Sequence, residues 1–121
     1  MTGLTGRRVL LVEDEPLIAM FAEMALEDAG AIVVGTAAAI APALALLESA
    51  APEVVLVDVR LRGGESGYDL AGVLTQRGIP FVLATGMQGQ DMPAALRGAA
   101  ILAKPYTAPQ MVAALEAVLR G

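Results

Sequence analysis

The sequence predicts an α/β fold: a doubly wound five-stranded parallel sheet with helices on both faces. Five short β-rich runs alternate with longer stretches of helical periodicity, the pattern of repeated βα units. Two of those runs, Val54-Val55-Leu56-Val57 and Phe81-Val82-Leu83-Ala84, are apolar at every position. Strands read that way when helices cover both of their faces, so these two belong in the middle of the sheet. A chain of 121 residues that is 56% hydrophobic has material for one buried core, and we expect a single domain over residues 1–121.

The elements follow in order. The first strand is expected over residues 8–13. Pro16 then suits the first turn of a helix whose buried stripe would be Leu17, Ile18, Phe21, Met24 and Ala25, at i, i+3, i+4 spacing. Gly30 ends it, and residues 31–34 form the second strand. Ile40, Leu44 and Leu47 mark the second helix, and residues 54–58 the third strand. Ser66-Gly67-Tyr68-Asp69 reads as a hydroxyl-capped start of the third helix, and residues 80–84 as the fourth strand. The fourth helix is the weakest element, because Gly89 and Pro93 interrupt it and only Met92 and Leu96 anchor it; that segment is expected to be the most mobile. Residues 100–103 are the fifth strand. The last helix opens on Thr107-Ala108-Pro109-Gln110, which has the capping-box spacing, and runs through Met111, Val112, Leu115 and Leu119. For this element count the leading strand order is 2-1-3-4-5, the flavodoxin-like arrangement. Ligands on such sheets bind beyond the carboxyl ends of the strands, near the switch point between strands 1 and 3.

Composition narrows the chemistry. Cysteine and histidine are both absent, so thiolate and imidazole ligands and histidine bases are excluded. Thirteen acidic residues against eight basic ones give a net charge of −5, and the only adjacent basic pair is Arg7-Arg8, which argues against direct nucleic-acid binding. No apolar run reaches the roughly 20 residues of a membrane span, and no signal peptide is evident. The expectation is a cytoplasmic protein without membrane contact.

Carboxylate, hydroxyl and amine remain, and they collect where the strands stop. Glu13 and Asp14 end strand 1, Asp58 ends strand 3, Thr85 follows strand 4 and Lys104 follows strand 5. Three neighbouring carboxylates repel one another, and a hard cation with oxygen ligands relieves the repulsion; Mg²⁺, which keeps room for waters and phosphate oxygens, is the expected cofactor. Asp58 is an ionised nucleophile that needs no base to attack a phosphoryl group. Lys104, the Thr85 hydroxyl and a close backbone approach at Gly86 suit the phosphoryl oxygens.

These residues carry a family resemblance over essentially the whole chain. Leu11-Val12-Glu13-Asp14-Glu15 with Pro16, Val57-Asp58 with Arg60-Leu61 and the Gly63, Gly64, Gly67 loop, Ala84-Thr85-Gly86, and Lys104-Pro105 together resemble the receiver domain of bacterial two-component response regulators. The resemblance implies that Glu13, Asp14, Asp58 and the backbone carbonyl of Arg60 hold the metal, and that Asp58 takes its phosphoryl group from a histidine kinase or a histidine phosphotransfer protein. It implies that Thr85, Gly86 and Lys104 bind the phosphoryl group and report it, and that a cis peptide precedes Pro105. Such a domain is a signalling switch that catalyses its own phosphorylation and dephosphorylation, not an enzyme in the ordinary sense. Its output face would lie around the fourth helix, strand 5 and the last helix, near residues 88–106, for a downstream protein partner, with the protein a monomer or weak dimer.

The chain departs from the family pattern where receivers usually carry Tyr or Phe, three residues before the lysine. That aromatic switch position is Ile101, so readout would pass through Thr85, Gly86 and the fourth helix. Leu83-Ala84-Thr85-Gly86 is similar to the Phe-Ala-Thr-Gly pattern of a group of single-domain receivers that lack the aromatic. Tyr106 is expected to be a surface contact. A small-molecule phosphatase of the haloacid-dehalogenase-like group would want an acid where Arg60 stands. A flavodoxin-type flavin carrier or a P-loop would want a glycine- and hydroxyl-rich phosphate loop where this chain places acids. The alternative kept open is a pseudo-receiver, an interaction module that works without phosphorylation; it would be marked by a lost site residue, and none is lost.

Overall fold

The computed structural model describes residues 2–86 and 92–121. Five parallel strands, β1 (Arg8–Val12), β2 (Ile32–Ala37), β3 (Val54–Asp58), β4 (Phe81–Thr85) and β5 (Ala100–Ala103), form one sheet in the order β2-β1-β3-β4-β5. All five residues of β3 are buried, as the uninterrupted apolar run required for the strand at the centre of the sheet.

Among the described residues four α-helices cover the sheet: α1 (Pro16–Asp28), α2 (Ile40–Ala50), α3 (Gly67–Arg77) and α4 (Ala108–Arg120). Side chains divide by strand alternation into two cores. Leu11, Leu56 and Leu102 meet α1 and α4 on one face, while Leu10, Val55 and Leu83 meet α2 and α3 on the other. The caps are as expected. The Ser66 hydroxyl accepts the Tyr68 N–H at the start of α3, and Thr107 and Gln110 form a reciprocal capping box on α4.

Three expectations need correction. First, of the expected stripe α1 buries Ala25 but not the large residues: Leu17, Phe21 and Met24 are exposed, Leu17 at 77%, Ile18 is half-buried, and the buried face is Ala19, Ala22, Ala25 and Leu26. Small side chains let the helix lie close on the sheet, which turns its bulky side outward. Second, the described part of the fourth helical segment is a single 3-10 turn, Ala94–Leu96, with only Leu96 buried; its Gly89 and the start of the expected 88–106 face lie outside the described residues. Third, β1 ends at Val12 and β2 extends to Ala37, three residues beyond expectation, because Leu10, Leu11 and Val12 pair with Gly35, Thr36 and Ala37 across a register shift.

The N-terminal segment also belongs to the core. Leu4 is fully buried, and the Gly3 N–H donates to Glu116 Oε2 of α4 at 2.6 Å.

Candidate functional site

The sheet brings the predicted residues to one end. Asp58 is the last residue of β3 and Thr85 the last of β4, while Glu13 and Lys104 each follow the last residue of their strand. The backbone fixes this register, since the Glu13 N–H donates to Ala37 O at 2.9 Å and the Lys104 N–H to Thr85 O at 3.1 Å. Glu13, Asp58 and Thr85 are buried, the three polar residues that are so among those described.

Glu13, Asp14 and Asp58 each offer a carboxylate oxygen, and these oxygens lie within 4.8 Å of one another. Lys104 bridges two of the three acids: its Nζ donates to Asp58 Oδ2 at 2.9 Å and to Glu13 Oε1 at 3.2 Å. The Arg60 N–H donates to Asp58 Oδ1 at 3.2 Å, and the Glu15 N–H to Glu13 Oε2 at 3.1 Å. Two buried carboxylates thus share one ammonium. Burial, then the hydrogen bond and charge of Asp58, push the Glu13 carboxyl up to about 7, against the pull of the Glu15 N–H and of Lys104. Burial works against the Lys104 charge, but the Asp58 hydrogen bond and the charges of Asp58 and Glu13 outweigh it and raise its pKa.

Beside them opens a cleft of about 410 Å³ lined by Asp14, Glu15, Asp58, Val59, Arg60, Thr85, Gly86 and Lys104. Crowded hard oxygens beside an open cleft fit a divalent cation such as Mg²⁺, whose charge would offset the repulsion among the three carboxylates. The loop beyond Asp58 is tightly built. The Gly67 N–H donates to Val59 O at 2.7 Å, the Leu61 N–H to Glu65 O at 3.0 Å, and Glu65 Oε1 accepts the Ile40 N–H at the start of α2. A Cβ on Gly67 would stand 2.2 Å from Asp58 O, so only glycine lets α3 begin this close to the end of β3.

Glu13, Asp14, Asp58, Arg60, Thr85, Gly86 and Lys104 therefore converge, and the Lys104–Pro105 peptide is cis. Ile101 is 41% exposed on the edge strand. Tyr106 is a correction to its expected surface role: it is half-buried, and its ring centroid lies 6.1 Å from that of Phe21, with the rings tilted by 44°. The sequence carries a signal for this contact, since α1 has more large apolar residues than one buried face can take. Burial, and then the charge of Glu13, raise the Tyr106 pKa, with Asp58 adding to the rise and Lys104 opposing it.

The family model described as the response regulator receiver domain matches residues 9–116. The transcriptional regulatory protein PdtaR of Mycobacterium tuberculosis is 33% identical over 114 residues, 91% of this chain but 55% of the relative. The solution structure of SdrG from Sphingomonas melonis Fr1 superposes with a TM-score of 0.80 at 40% identity, covering all of both chains. The crystal structure of the response regulator PhyR from Brucella abortus gives a TM-score of 0.84 at 32% identity, covering 97% of this chain and 49% of that one. The chain thus spans about half the length of PdtaR and PhyR.

Proposed function

Because the chain belongs to the response regulator receiver family, a signalling domain of two-component systems, we propose that Asp58 is its phosphoryl acceptor. The observation that carries this reading is the convergence of Glu13, Asp14, Asp58 and Lys104 at the carboxyl end of one sheet. Asp58 Oδ attacks the phosphorus as the bond to the donor breaks, and the donor leaves with that bond's electron pair, giving an acyl phosphate. The donor is the phosphohistidine of a kinase or phosphotransfer protein, and acetyl phosphate is its small-molecule equivalent. Glu13, Asp14, Asp58 and the Arg60 carbonyl would hold Mg²⁺, which would neutralise charge on the phosphoryl oxygens. Lys104 is already within hydrogen-bond reach of Asp58 and can turn its ammonium to a phosphoryl oxygen, with the Thr85 hydroxyl and the Gly86 N–H serving the others. Loss of the phosphoryl group to water at the same site would reset the switch.

The donor needs a landing surface beside the cleft. The exposed face of α1, with Leu17, Met20, Phe21 and Met24, adjoins it and is the largest group of exposed bulky apolar residues among those described. We assign donor docking to that face, and output by protein contact to the region of β5 and α4, in one domain acting in the cytoplasm as a monomer or weak dimer.

Intact mass after incubation with Mg²⁺ and acetyl phosphate tests the chemistry. Wild type should gain one phosphoryl unit that hydroxylamine removes, and Asp58→Ala should gain none. No gain in wild type, with no spectral response to beryllofluoride, would overturn the acceptor role and leave an interaction module.

A further inference from the structure

Lys104 belongs to two clefts. Its ammonium holds Asp58 and Glu13 in the acidic one. With Pro105 and Tyr106 it also forms one wall of an apolar cleft of about 550 Å³, closed on the other side by Leu17, Ile18 and Phe21 of α1. Across that cleft the rings of Tyr106 and Phe21 meet in a tilted contact, at a separation typical of interacting aromatic pairs. Helix α1 is therefore connected to the acidic cluster twice: through its first turn, which the N-cap Glu15 joins to Glu13 and Asp14, and through this ring contact.

The two ends of the connection differ in stiffness. Tyr106 packs against the core on the α1 and α4 side of the sheet, whereas Phe21 is 43% exposed and stands among Leu17, Met20 and Met24, which are open to solvent. A small displacement of the Tyr106 ring meets little resistance from the outer face of α1. Such a displacement follows from the hydrogen bonds of Lys104. A phosphoryl group on Asp58 adds acceptor oxygens and negative charge beside Nζ, and the ammonium must redistribute bonds now spent on two carboxylates. Tyr106 is two residues along the same short loop. Ile101, at the edge of the sheet, has no aromatic ring to carry the change.

We propose that Tyr106, braced on Phe21, couples the Asp58, Glu13 and Lys104 cluster to the outer apolar face of α1, so that phosphorylation of Asp58 remodels that face. This coupling rests on Asp58 being the acceptor, and the test separates the two.

Met20 and Met24 lie on the face in question and give direct probes through ¹³C-methyl methionine NMR. With Mg²⁺ and beryllofluoride as the phosphoryl stand-in, the Gly86 amide should shift, reporting site occupancy, and the Met20 and Met24 methyls should shift with it. Tyr106→Ala should reduce the methyl shifts at least threefold while the Gly86 response persists, and Tyr106→Phe, which keeps the ring, should restore them. Phe21→Ala breaks the same contact from its exposed side and should act as Tyr106→Ala does, which covers the case of a core variant that fails to fold. Methyl shifts of wild-type size in Phe21→Ala, or a Gly86 response in wild type with unmoved methyls, would overturn the coupling and leave the acceptor role standing. An unmoved Gly86 amide in wild type would overturn the acceptor role and the coupling with it.

Discussion

At the residue scale the site is an unbalanced charge problem. Glu13 and Asp58 are both buried and have one ammonium between them, and the proton that relieves the imbalance is the one on Glu13. Its carboxyl titrates near 7 in the folded protein against an ordinary 4.5, so between those values the folded state binds more proton than the unfolded chain. Stability of the metal-free protein therefore falls as pH rises from about 4.5 to about 7, opposite to the usual carboxylate behaviour. Asp58→Asn removes the like charge and leaves Glu13 paired one-to-one with Lys104. Melting in chelator at pH 5.5 and 8 should show wild type losing stability over this range. Asp58→Asn should lose less and melt roughly 3–5 °C higher at pH 8, for a gain of about 1 kcal/mol. A variant that melts lower than wild type at pH 8 would mean that the Lys104 bond to Asp58 outweighs the repulsion. The identity of every member of this cluster was legible in the sequence, because charged residues at the ends of apolar strands of one sheet must meet. The sharing of Lys104 was not, since it depends on side-chain rotamers over the strand ends.

At the scale of elements, the strand runs and caps were legible because each rests on local chemistry: uninterrupted apolar runs for β3 and β4, a hydroxyl at Ser66 and Thr107 for α3 and α4. The orientation of α1 was not. Periodicity identifies an apolar stripe, but this helix has two, one of bulky residues and one of alanines, and close packing against the sheet selects the alanines. The Gly67 contact was likewise hidden, because a glycine in a glycine-rich loop reads as turn chemistry when its real constraint is the Asp58 carbonyl 2.2 Å from where a Cβ would sit. Gly67→Ala must push α3 away from β3. We expect a loss of at least 2 kcal/mol in urea unfolding, of the order seen for overpacked cores, together with slower labelling by acetyl phosphate as the acceptor strand end shifts. Equal stability of Gly67→Ala and wild type would show that the loop yields without cost.

For the whole molecule, the sheet separates two tasks that share one helix. The carboxyl end gathers Glu13, Asp14, Asp58 and Lys104, while α1, which starts there at Pro16, carries its bulky residues away from the core and presents them to solvent beside carboxylates. With Glu23, Glu27 and Asp28 as the charged residues of α1, and a net charge of −5 on the chain, a partner for this face should offer apolar side chains rimmed by Lys or Arg. Docking and chemistry are then separable by choice of donor, because acetyl phosphate needs the cleft alone and a protein donor needs α1 as well. Leu17→Asp replaces the most exposed member of the stripe with a charge, in a position where it touches little of the core. Transfer from a phosphorylated protein donor should slow more than tenfold relative to labelling by acetyl phosphate, about 1.4 kcal/mol of lost docking energy. The mutant's melting temperature should stay close to that of wild type, as expected for a surface substitution. An unchanged ratio of the two rates would place the donor elsewhere on the protein and leave the outer face of α1 free for output.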